Sequence, residues 1–251
     1  MKKVGIVLVL ALLPLCLWAQ VEEIAEIPAK AAKKATGSSH VFSGFSGGMM
    51  IHGGYLFSDD PAKVFSNTGL GSADYVKGLP KAGFCYGLGG SLRAHLVNHV
   101  HLGAEGFVST MPIMRTGSNI RTGWGGVLCD AYLNIGKFRP LLGFTIGGGS
   151  MKRLFVPDQD KNVYYYTAED STHYNASFSQ TPFFFIDPYL GFEVDLNSHM
   201  AILIRIDYML PFGTSTSELV KEAEKKSWST FMTPSGPRIY VGIMFGKLKR
   251  E

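Results

Sequence analysis

Two long runs of strict alternation, joined by three polar residues, constrain this chain more than any other feature in it. From position 184 the even residues are Phe184, Ile186, Pro188, Leu190, Phe192, Val194 and Leu196, whereas the odd ones are Phe185, Asp187, Tyr189, Gly191, Glu193 and Asp195. Successive side chains of an extended strand point to opposite faces, so these sets lie on opposite sides of a sheet. After Asn197-Ser198-His199 the alternation resumes. Met200, Ile202, Ile204, Ile206, Tyr208 and Leu210 share one face, and Ala201, Leu203, Arg205, Asp207 and Met209 the other. The pattern predicts a hairpin of two long strands with a tight connection, one face apolar and one carrying scattered charges.

The same plan recurs along the chain: strand, long loop, strand, tight turn. Alternation predicts further strands over 42–57, 83–97, 99–110, 121–135, 140–150 and 236–248. Tight turns fall at Asn98, at Gly136-Lys137-Phe138-Arg139 and at 197–199, and loops run through about 58–81, 115–119, 151–180 and 211–235. With the hairpin this makes eight strands, four loops and three turns.

Periodicity alone does not say which face is inside, and the chemistry of the polar face decides it. A water-facing sheet is dense in Lys, Glu and Thr, but this face holds Gly87, Gly89, Ser91, Gly126, Gly143, Thr145, Gly147 and Gly242 among a few charges. Small residues suit the interior of an eight-stranded barrel, which its own side chains fill. The opposite face, rich in Phe, Leu and Ile, then meets lipid. Composition agrees, with 30 Gly in 251 residues and 18% charged residues. The expected fold is all-β: an antiparallel up-and-down transmembrane β-barrel of eight strands, with four extracellular loops and three periplasmic turns.

The first residues read as an export signal. Lys2 and Lys3 precede an apolar run over 4–13 that is too short to span a bilayer, and Ala19 offers a cleavage point. Cys16 raises lipidation as an alternative, but Pro14-Leu15 departs from the small residues a lipobox needs. The expected organisation is a signal peptide over 1–19, a periplasmic leader over 20–40 and the barrel over 41–251. The leader has Glu22, Glu23 and Glu26 early and Lys30, Lys33 and Lys34 late, the order that suits a helix dipole, with Pro28 interrupting it. Without Lys2 and Lys3 the chain has 22 basic and 20 acidic side chains, a balance that gives no footprint for nucleic acid. Cys85 falls on the polar face of its strand and Cys129 on the apolar face of its own, so they face away from each other, which disfavours a disulfide.

From 42 to 248 the plan resembles the small eight-stranded outer-membrane barrels of Gram-negative bacteria, the OmpX/OmpW-like group. The final strand, Arg238-Ile239-Tyr240-Val241-Gly242-Ile243-Met244-Phe245, resembles the alternating assembly signal of that group, although here the chain continues past the aromatic to Glu251. The resemblance implies outer-membrane lipid and lipopolysaccharide as surroundings and the barrel assembly machinery as a partner. Members serve as structural, adhesion or defence proteins, as narrow pores, and occasionally as lipid-modifying enzymes. Fold alone does not choose among these.

The polar faces collect Arg93, His95, His101, Glu105, Asp130, Asp187, Glu193, Asp195, Arg205, Asp207 and Arg238 in the expected lumen. Buried charges must pair or be hydrated. The expectation is therefore an ionic network, mostly in the periplasmic half, with Arg93 and Arg205 bridging the lumen and closing it. The alternative is a hydrated path for small solutes. His95, His99 and His101 are the nearest approach to a metal motif, but no carboxylate or thiolate has matching ligand spacing, so no metal or other cofactor is expected. Gly147-Gly148-Gly149-Ser150 lacks the Lys-Ser/Thr of a phosphate loop, and Asn175-Ala176-Ser177 has the pattern of a glycosylation acceptor. His173 with Ser171 or Ser177 is the only grouping that hints at a lipid-modifying enzyme, and no catalytic set is readable. The expected protein is non-enzymatic, with exposed loops for surface interaction or envelope integrity and a loop partner that the sequence does not name.

Overall fold

A computed structural model describes residues 42–59, 80–96, 99–113, 118–155, 177–214 and 231–246. The expected signal peptide, the leader and the grouping around His173 lie outside them. Eight strands follow one another: β1 (Phe42–Phe57), β2 (Ala82–Leu96), β3 (Val100–Pro112), β4 (Asn119–Tyr132), β5 (Phe138–Phe155), β6 (Ser177–Asn197), β7 (Met200–Phe212) and β8 (Gly236–Gly246). Each pairs antiparallel with the next, and β1 pairs with β8, for example Ile51 with Val241, closing the barrel.

The parity of the sequence becomes the inside and outside of this cylinder. Met49, Ile51, Leu88, Val127, Phe184, Leu190, Ile206 and Ile239 stand on the exterior, between 49 and 71% exposed. Arg93, Arg205, Leu203, Phe185 and Tyr240 point inward and are fully buried. A soluble barrel has the reverse arrangement, because apolar surface exposed to water is costly. An apolar belt that is left uncovered is the face a hydrocarbon solvent requires, and closure satisfies every strand edge without water.

Several boundaries differ from the sequence reading. β5 begins at Phe138 and runs to Phe155, and β6 begins at Ser177, so both strands extend into what reads as turn and loop. β4 ends at Tyr132, and Leu133 to Ile135 belong to the following turn, where Ile135 and Phe138 exchange backbone hydrogen bonds. Gly136 sits there at φ 65°, a conformation that costs glycine little. The connection from β3 to β4 is short, since only 113–118 separate the strands.

Strong curvature also has a sequence cause. A Cβ on Gly126 or Gly147, which are register partners on the inner face, would fall 2.3 or 2.1 Å from a neighbouring strand's carbonyl oxygen. Glycine there lets β4 and β5 coil tightly.

The inside-outside assignment predicts that Ile204→Arg, on the lipid face of β7, lowers unfolding free energy in lipid vesicles by about 2–4 kcal/mol. Urea titration of the refolded protein measures this. A harmless Ile204→Arg would mean that this face does not meet lipid.

Candidate functional site

The lumen is layered, and each layer follows from the side chains that alternate inward at that height. At the periplasmic end β2, β4, β5 and β6 bring together Arg93, Asp130, Arg139, Glu193 and Asp195. Arg93 Nη1 donates to Glu193 Oε1 at 2.7 Å and lies 3.8 Å from Asp130 Oδ2. Arg139 Nη2 bonds Asp195 and reaches Glu193 Oε2 at 3.2 Å. Asp130 is held further by His101, whose Nδ1 is 2.6 Å from Oδ1, and by the Tyr189 hydroxyl, which donates to Oδ2 at 2.9 Å.

At mid-height Arg205 forms a two-pronged contact with Glu105, with Nη1 to Oε2 at 2.6 Å and Nη2 to Oε1 at 3.0 Å. Thr145 donates to the same carboxylate at 2.7 Å. Two parallel N–H donors from one guanidinium fix both distance and plane, which makes this the strongest kind of charged hydrogen bond. The guanidinium also lies over the rings of Tyr240 and Tyr189, 4.4 and 4.5 Å from their centroids. Arg205 is thus gripped from three other strands, β3, β6 and β8.

Above this the polar groups are less completely matched. Asp207 Oδ2 stands 3.5 Å from Arg205 Nη2 and its carboxyl faces that of Asp187, yet neither side chain finds a well-formed hydrogen bond among the described residues. Arg238 lies over the Trp124 ring at 4.8 Å and donates to the Pro234 carbonyl at 2.7 Å, leaving Nε and Nη1 unpartnered. His52 packs among Phe107, Trp124 and Tyr240. Such orphaned polar atoms mark places for ordered water.

The extracellular end is different again. Residues 231–234, just before β8, fold into the mouth, where Phe231 and Met232 are completely buried with Leu56, Met111, Ile120, Met151, Phe183, Phe185 and Met209. Arg153 ties this strap down by donating to the carbonyls of Phe231 and Met232 and to the Thr181 hydroxyl. The small, polar lining expected throughout the lumen therefore gives way to an apolar cap.

Every charged residue expected in the lumen points into it. Arg93, Asp130 and Glu193 come together, as do Arg205, Glu105 and Asp207, whereas Arg238 and Asp187 stand higher and outside the main network. The concentration expected in the periplasmic half holds for the first group only. Two arginines escaped the sequence reading, Arg139 because it fell in a predicted turn and Arg153 because it fell in a predicted loop. Both share the odd parity of Leu141, Gly143 and Met151, so extending the alternation of β5 in both directions finds them.

Two of the three histidines meet and the third stands apart. His95 and His101 are register partners with ring centroids 4.2 Å apart, His95 Nε2 bonding the Ser46 hydroxyl at 2.8 Å and His101 serving Asp130, whereas His99 is an exposed turn residue with φ 60°. Among the described residues no three His, Cys, Asp or Glu side chains are placed to hold a metal ion. Cys85 is buried in the interior and Cys129 faces outward from β4, and no disulfide joins them.

Removing one partner of a buried ion pair strands the other charge. Arg205→Ala is accordingly expected to lower stability by about 3–5 kcal/mol, against about 1 kcal/mol or less for Lys137→Ala at an exposed turn. Denaturant titration in vesicles measures both, and equal small effects would contradict the pairing.

No family model matches the chain, and comparison with curated proteins gives no match. Solved structures with a similar fold include the outer membrane protein OprG of Pseudomonas aeruginosa, at 11% identity over 82% of this chain and 97% of that one, with a TM-score of 0.46. Neisserial surface protein A gives 9% identity over 80% and 96%, with a TM-score of 0.44. Ail of Yersinia pestis, solved with the heparin analogue sucrose octasulfate, gives 10% over 81% and 99%, with a TM-score of 0.40. The fold assignment stands on the strand pairing itself: the chain is a closed, antiparallel, up-and-down barrel of eight strands, like the small outer-membrane barrels it resembles.

Proposed function

We propose that this protein is an integral outer-membrane barrel without enzymatic activity, whose lumen is closed and whose role lies at its exposed loops, in surface contact or envelope integrity. One observation carries the closed lumen. Arg93 on β2 meets Glu193 on β6, and Arg205 on β7 meets Glu105 on β3. In a ring of eight strands each pair joins strands four places apart, so both contacts run straight across the cylinder. The apolar cap of Phe231 and Met232 adds a second closure above them.

The apolar exterior and the export signal support the outer membrane as the location, with lipid and lipopolysaccharide as surroundings and the assembly machinery as the inserting partner. The described lumen sets one hydroxyl beside a base, Ser46 against His95, but both are buried inside the barrel, away from any lipid, which leaves little to support a lipid-modifying enzyme.

Planar-bilayer recording tests the reading. The refolded wild type is expected to conduct little, and Arg205→Ala to admit a cation-selective leak because it frees Glu105 and Asp207 in the constriction. High wild-type conductance unchanged by Arg205→Ala would instead support a narrow pore for small solutes.

A further inference from the structure

The apolar exterior ends at a row of polar residues that no interior contact explains. Thr110 on β3, Arg121 on β4, Lys152 on β5 and Gln180 on β6 are successive register partners, and all share the outward parity of their strands. Arg121 and Lys152 are exposed and directly opposite each other. Like charges in that position repel and weaken strand pairing. None of the ion pairs among the described residues involves either cation. Two like charges held side by side at the upper edge of a hydrocarbon-facing wall have no anion beside them among the described residues and offer a place for one.

The wall beneath them is hollowed. The next row toward the membrane centre is Val108, Gly123, Ser150 and Pro182, and the one below it is Gly106, Gly125, Gly148 and Phe184. An added Cβ on Gly123 would meet only a Val108 methyl at 3.9 Å, and one on Gly106 only a carbonyl oxygen at 3.7 Å. Backbone crowding does not require glycine at these two positions. Glycine inside a strand otherwise weakens it and marks a place where something approaches the backbone closely. The shallow trough runs down from the two cations, with Val108 and Phe184 standing exposed at its sides.

We infer that Arg121 and Lys152 bind the phosphorylated headgroup of an outer-leaflet lipid, with an acyl chain lying in the trough of Gly123, Gly125, Ser150 and Gly148. The charges match, because a phosphate monoester carries between one and two negative charges at neutral pH, roughly what the two cations supply. A guanidinium presents paired donors to phosphate oxygens, and an ammonium adds a compact charge. The height matches too, since the pair stands where the exterior changes from apolar to polar. This inference rests on the membrane reading given above and adds a specific lipid site to it.

The test uses the chain refolded into phosphatidylcholine vesicles containing phosphatidic acid, or diacylglycerol with the same acyl chains, then released in detergent for native mass spectrometry. Wild type is expected to retain phosphatidic acid and not diacylglycerol, with retention falling at high salt and surviving excess glycerol 3-phosphate. Arg121→Gln combined with Lys152→Gln is expected to lose that retention, whereas Lys137→Gln at the opposite end keeps it. Heat-modifiable gel mobility verifies that each variant is folded. Equal retention by the double variant overturns the site, and displacement by glycerol 3-phosphate overturns the lipid assignment in favour of a free phosphate. A chain that fails to insert at all contradicts the membrane reading instead, so the two failures are distinguishable.

Discussion

Closing eight strands on themselves leaves an interior so narrow that every second residue must fit against residues from the far wall. That constraint governs the rest of the structure. Charged side chains cannot reach water there, so each must find a partner across the lumen or leave a costly orphan. Arg205 and Glu105 meet this demand most completely, with two guanidinium donors on one carboxylate, a threonine hydroxyl on one of its oxygens and two aromatic rings stacked on the cation. Arg93 repeats the solution lower down, where Glu193 and Asp130 share it. The upper lumen solves the problem by the other route, replacing charge with Phe and Met and sealing them under a strap of backbone held by Arg153.

Much of this is legible in the sequence alone. A two-residue period is unambiguous over runs as long as those in β6 and β7, and a barrel turns parity directly into inside and outside. Strand number, order and the inward direction of the charged residues all followed from that. Strand ends did not, because a strand stops where its partner stops. β5 outruns its apparent ends because β6 pairs with it as far as Ser177, and polar residues such as Lys152 and Gln180 look like loop until that pairing is seen. Arg139 and Arg153 were hidden for the same reason.

Partner choice was also beyond the sequence. Parity puts six carboxylates and several arginines in one tube, but it does not say which of them share a height. Barrel stagger decides that, setting Glu105 and Asp207 on the same arginine while Asp130 and Glu193 share another. It also builds the layered interior: the residues filling the extracellular mouth include Phe231 and Met232 from a connection with no alternation to mark it. The exterior shows the same limit. Arg121 and Lys152 are far apart in sequence and lie side by side only through the β4–β5 register.

The central claim is that paired charges reaching across the cylinder hold the lumen closed and the walls together. A double-mutant cycle on Glu105 and Arg205, read by reversible unfolding in lipid vesicles, tests it most directly. If the two residues act as one unit, Glu105→Gln and Arg205→Met together cost much less than the sum of the single changes, with a coupling energy of about 2 kcal/mol or more. Additive single effects, with no coupling, would show that the two side chains do not support each other across the lumen and would contradict the account.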